Sequence, residues 1–64
     1  MNYYVDVILP LPLKGTFTYE LSQDQFNILE VGFRIAVSFG KRKIYTAIVN
    51  KLHTISQNYM IPNQ

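Results

Sequence analysis

Apolar and polar residues alternate through four stretches of this chain, and a period of two predicts a β-strand in each. In the first, Tyr3, Val5, Val7 and Leu9 share one face, with Tyr4, Asp6 and Ile8 on the other. In the second, Thr16 to Leu21, the faces are Phe17, Tyr19 and Leu21 against Thr16, Thr18 and Glu20. In the third, Phe33, Ile35, Val37 and Phe39 alternate with Arg34, Ala36, Ser38 and Gly40. The fourth, Ile44 to Leu52, sets Ile44, Thr46 and Ile48 against Tyr45, Ala47 and Val49. Apolar groups stand on both of its faces, so this strand is expected to be central or to close a barrel.

The connections differ in character. Pro10 and Pro12 cannot donate to a ladder and hold the backbone extended, making a stiff link that ends at the Lys14-Gly15 turn. Ser22 to Glu30 has a capping serine and partial helical spacing at Phe26, Ile28 and Leu29. It is short, and a loop with at most one helical turn is expected. Val31-Gly32 and Gly40 to Lys43 read as turns. After Leu52 the alternation decays. The expected architecture is mainly β, a small antiparallel, partly closed barrel of about four strands within residues 1–52. Residues 53–64 are expected to form a poorly structured tail or the start of a linker.

Length and composition narrow the function. Sixty-four residues make one small domain, of a size that buries only about 60% of its unfolded surface. With no cysteine there is no disulfide, thiolate zinc site or cysteine nucleophile. That composition suits a reducing cytoplasm, the expected compartment. Met1 to Leu13 is apolar but is broken by Asp6, Pro10 and Pro12, lacks a basic start, and is too short for a membrane span. Enzyme machinery is sparse. His53 is the single histidine and has no acid or serine beside it in sequence, the four carboxylates lack paired or metal-loop spacing, and the three glycines are far apart. The chain is therefore expected not to be an enzyme, and to hold no cofactor or metal of its own.

Charge supplies a candidate for binding. The net charge is only +2, but three of the six basic residues form the tripeptide Lys41-Arg42-Lys43 at a strand–strand turn. Such a tip can neutralise phosphates, the main sequence-independent term in nucleic-acid affinity. It can equally be a solvated hairpin end. Phe17, Tyr19 and Tyr45 could stack on single-stranded bases or simply fill the core.

Two segments taken together extend this picture. Leu9-Pro10-Leu11-Pro12-Leu13-Lys14-Gly15-Thr16-Phe17-Thr18-Tyr19, followed by Val31-Gly32-Phe33-Arg34-Ile35-Ala36-Val37-Ser38-Phe39-Gly40-Lys41-Arg42, resembles the N-terminus of the primosomal replication-restart helicase PriA family. The resemblance covers about residues 3 to 50. It implies a DNA-binding domain, truncated here, that holds the 3′ end of a nascent strand at a stalled fork. ATP and zinc would belong to downstream domains of an ATP-dependent 3′–5′ helicase. By position, Phe17, Thr18 and Gly40 match the pocket for the 3′-terminal nucleotide, with Lys41, Arg42 and Lys43 expected to meet phosphates. The family often has an acid where Thr18 stands and proline where Ser38 stands, and its further pocket lysine has no counterpart here. The implied partners are single-stranded or forked DNA with a free 3′ end, and other replication-restart proteins. The rival expectation is a small protein-interaction barrel without a nucleic-acid role, with exposed strand edges that favour self-association.

Overall fold

The computed structural model of the chain describes residues 1–56. Four strands and one short helix follow one another as β1 (Asn2–Ile8), β2 (Phe17–Leu21), α1 (Gln23–Ile28), β3 (Arg34–Ser38) and β4 (Ile44–Ile55). They make one antiparallel sheet in the order β2-β1-β4-β3, curled into a half-barrel. The four stretches of alternation thus become four strands, and the mainly β, partly closed architecture is the one expected. The doubly apolar fourth strand is central, paired with β1 on one side and β3 on the other.

The inward faces follow the alternation. Val5, Val7, Leu9, Val37, Ala47 and Val49 form the buried core. Phe17, Tyr19, Leu21, Ile35, Phe39, Tyr45 and Leu52 pack around it, partly buried. The aromatic rings expected to stack on bases or fill the core are therefore core-flanking groups. Their edges pack on one another: Phe17 meets Phe39 with ring centroids 4.9 Å apart, and Phe39 meets Tyr45 at 6.4 Å. Such contacts add about 0.5–1.5 kcal/mol each beyond area burial.

Two features depart from the expectations. β4 does not fade at Leu52 but continues through His53 and Thr54 to Ile55, because Tyr4, Tyr3 and Asn2 on β1 offer these three residues a ladder partner. The rest of the expected tail, residues 57–64, lies outside the described residues. The stretch after Ser22 is also more regular than a loop: α1 has six residues. Its start is fixed by a capping box. The Gln25 amide donates to Ser22 Oγ at 3.1 Å and the Ser22 amide donates to Gln25 Oε1 at 2.9 Å. Phe26 then anchors the helix on Tyr3 of β1, with ring centroids 5.0 Å apart.

A bulge divides β4. Val7 pairs with Val49, but Asp6 pairs with Lys51, so Asn50 is an extra residue without a partner on β1. Because faces alternate with period two, one extra residue exchanges the faces. Tyr45, Ala47 and Val49 point inward before it, and Leu52 does so after it. Lys51 and His53 are thereby placed on the outer face with Tyr4 and Asp6.

The sheet does not close through backbone pairing, since β2 and β3 are its two edges. Side chains bridge the seam instead. The Tyr19 phenol on β2 donates to the Ser38 carbonyl on β3 at 2.6 Å, and Phe17 reaches Phe39 beside it. Beyond these bridges the seam opens into a cleft of about 430 Å³ lined mainly by Val5, Tyr19, Leu21, Leu29, Ile35 and Val37.

Candidate nucleic-acid interface

The expected site residues lie toward one end of the half-barrel, where β1 and β3 finish and β2 and β4 begin. Phe17 opens β2 and rests edge-on against Phe39, the residue immediately before Gly40. The fold thus brings Phe17 and the Gly40 turn to the same end of the seam, facing each other across it. Thr18 follows Phe17 on the strand, and its side chain is directed to the opposite, outer face. There its hydroxyl donates to Asp6 Oδ1 at 2.6 Å. The expected trio is therefore split: Phe17 and Gly40 adjoin at the seam, and Thr18 stands around the edge of β2.

The β3–β4 connection is tight. The Phe39 amide donates to the Lys43 carbonyl at 3.0 Å, so only Gly40, Lys41 and Arg42 lie in the tip. Gly40 has φ +73, and a Cβ placed there would meet nothing within 4 Å. The backbone conformation, rather than crowding, demands glycine, and the space above it is open to a ligand. Arg42 also has positive φ, 59°, without being glycine. A side chain held in this region costs about 1–2 kcal/mol, and such strain often collects at binding sites. Lys41, Arg42 and Lys43 are all exposed, and none is in an ion pair with an acid among the described residues.

The outer face carries a polar group that spans three strands. Asp6 on β1 stands opposite Thr18 on β2 and opposite Lys51 on β4. Its Oδ1 receives the Thr18 hydroxyl and also contacts His53 Nε2 at 3.0 Å. The His53 ring stacks against Tyr4, centroids 5.7 Å apart and planes 25° from parallel. The Thr18 hydrogen bond, then that of His53, holds the Asp6 carboxyl below its ordinary pKa, while desolvation opposes the shift. His53, which has no acid beside it in sequence, thereby gains one in space, because the strand pairing closes a gap of 47 residues. Asp6 and His53 were invisible as a pair in the sequence. The available signal was Asp6 itself, the one charge in an otherwise apolar strand. Among the described residues no group of three or more His, Cys, Asp or Glu could hold a metal. No helix among them is long and apolar enough to cross a membrane.

Fold and charge together define a small curled β-module whose cationic hairpin tip adjoins an aromatic seam. The family model for the 3′DNA-binding domain (3′BD) of PriA matches residues 6–62 of the chain. The chain belongs to that family, and is thus a DNA-binding module for 3′ ends rather than a catalytic domain. No curated protein and no solved structure matches it.

Proposed function

We propose that this module holds the 3′-terminal nucleotide of a nascent DNA strand at a stalled fork, as the N-terminal part of a replication-restart helicase. In this reading the terminal nucleotide straddles the edge of β2, with Phe17 and Gly40 on its seam side and Thr18 around the edge on the outer face. Lys41, Arg42 and Lys43 follow the phosphates leading to it. The seam ring packs on the sugar or base, and the bare backbone of Gly40 lets peptide groups approach. ATP hydrolysis and zinc binding belong to further domains of the whole protein, which works in the cytoplasm with other replication-restart proteins. The observation that carries the reading is the family match over residues 6–62. The open space above Gly40 supports it, as do the cations beside it, which are in no ion pair among the described residues.

One nucleotide offers little contact, so affinity is expected to be modest, sequence-tolerant and strongly salt-dependent. Fluorescence anisotropy with labelled oligonucleotides tests the reading. A free 3′-hydroxyl end is expected to bind more tightly than the same strand carrying a 3′-phosphate. Equal affinity for the two ends at low salt would refute end recognition.

A further inference from the structure

We infer that Asp6, rather than a residue of the turn or seam, is the group that distinguishes a free 3′-hydroxyl from a phosphorylated end. This rests on the end-binding reading above. It begins from the position of Thr18, the one side chain among Phe17, Thr18 and Gly40 with a hydrogen-bonding atom. The Thr18 proton is already committed to Asp6 at 2.6 Å. Thr18 can still accept, but its hydroxyl alone does not separate a neutral terminus from an anionic one, because rotation would let it donate to phosphate equally well.

A carboxylate separates them by charge. An ionised Asp accepts through two oxygens and donates nothing. Both contacts described for Asp6 fall on Oδ1, one from Thr18 and one from His53. Oδ2 has no partner among the described residues, and the side chain retains 19% of its exposure. An accessible lone pair is therefore offered to a donor arriving beside Thr18. A sugar hydroxyl can provide that donor and gain a charge-assisted bond. A terminal phosphate brings negative charge against the carboxylate and no proton of comparable use, so it is disfavoured.

The surroundings keep Asp6 in that role. The charged or titratable groups facing it are His53 and Lys51 on β4, with Thr18 the neutral donor on β2. The Thr18 hydrogen bond first, then His53 and more weakly Lys51, draw the carboxyl pKa further below its ordinary value, and at neutral pH it is ionised. They also fix its orientation from both sides, so little ordering is left for binding to impose. Stacking on Tyr4 gives the His53 ring a fixed position in turn.

The test compares 3′-hydroxyl and 3′-phosphate oligonucleotides on the wild-type chain and on Asp6→Asn. The wild type is expected to prefer the hydroxyl end by about tenfold, the scale of one charge-assisted hydrogen bond. In Asp6→Asn the 3′-phosphate strand binds more tightly and the two affinities come within about twofold, as the repelling charge is gone while its shape remains. A wild type without preference defeats the end-binding reading and this inference together. A folded Asp6→Asn variant that keeps the tenfold preference defeats the assignment of Asp6 alone. Should the variant fail to fold, the wild-type protein still decides. The ¹³C carboxyl resonance of Asp6 shifts on titration with the 3′-hydroxyl strand and moves less with the 3′-phosphate strand. No shift, in a protein that discriminates the ends, overturns the assignment.

Discussion

Neutralising the hairpin tip, as Lys41→Gln, Arg42→Gln and Lys43→Gln together, should change DNA binding with little effect on the fold. All three residues are exposed, and none is in an ion pair among the described residues, so the sheet loses no described ion pair with them. Each phosphate neutralised on a single strand contributes about 0.7 to the slope of log affinity against log salt. Two of the basic residues lie in the three-residue tip and Lys43 closes it, and all three are exposed, so two or three can meet one strand. The slope should therefore become shallower by about 1.4–2.1. Between about 50 and 200 mM salt, the wild type should lose roughly seven- to eighteenfold more affinity than the triple variant. Anisotropy titrations at four or five salt concentrations measure this directly. Superimposable slopes for the two proteins would refute phosphate contact by the tip. Arg42→Gly separates binding from stability at the same place. Relief of the left-handed strain at φ 59 should raise stability by up to about 1 kcal/mol while one slope unit or less is lost.

Two further outcomes follow from contacts elsewhere. Tyr19→Phe removes the 2.6 Å bridge to the Ser38 carbonyl across the seam. It should lower stability by about 0.5–1 kcal/mol, since water can replace part of that partly exposed bond, and an unchanged urea midpoint would show the bridge to be dispensable. Asp6 has a folded-state pKa below its ordinary value. Its stabilisation is then present above the unfolded value of about 3.9 and is lost as pH falls through the depressed folded value. Asp6→Asn should accordingly be less stable at pH 7 and show a shallower loss below about pH 4 in chemical denaturation series. Parallel acid profiles would mean that the Thr18 and His53 bonds contribute nothing.

Period-two alternation made the strands and their inward faces legible before any coordinates, because each face must bury or shed its side chains as a set. It could not supply strand neighbours, since alternation describes a strand's faces and not its edges. The insertion of β4 between β1 and β3 was therefore out of reach. So was the bulge at Asn50. Val49-Asn50-Lys51-Leu52 reads as a plain strand in which order fades, and only pairing with Asp6 and Val7 reveals the slip. The approach of His53 to Asp6 on the outer face depends on that slip, whereas the Thr18 bond to Asp6 comes from the β1–β2 pairing. The cap of α1 was legible at Ser22, but the reciprocal bond from Gln25 came only with the structure, and propensity alone undervalues so short a helix, which packs Phe26 against Tyr3. For the candidate site, the tip and its glycine were plain from composition. The partition of Phe17 and Thr18 to opposite faces was implicit in their adjacency.

The order of the sheet also governs when the protein can exist. β4 is the last of the four described strands to be made during synthesis, yet it supplies a neighbour to both β1 and β3. Until Ile48 has been added, β3 lacks its complete partner and β1 has β2 alone, a two-stranded ribbon that is marginal in water; the β1 ladder is complete only at Ile55. The four-stranded sheet therefore waits for β4, whose pairing joins residues as distant as Asn2 and Ile55. A ribosome that stalls before β4 leaves bare the edges of β1 and β3 that β4 would cover, in addition to the two outer edges of the sheet, which exposes incomplete chains to aggregation and proteolysis.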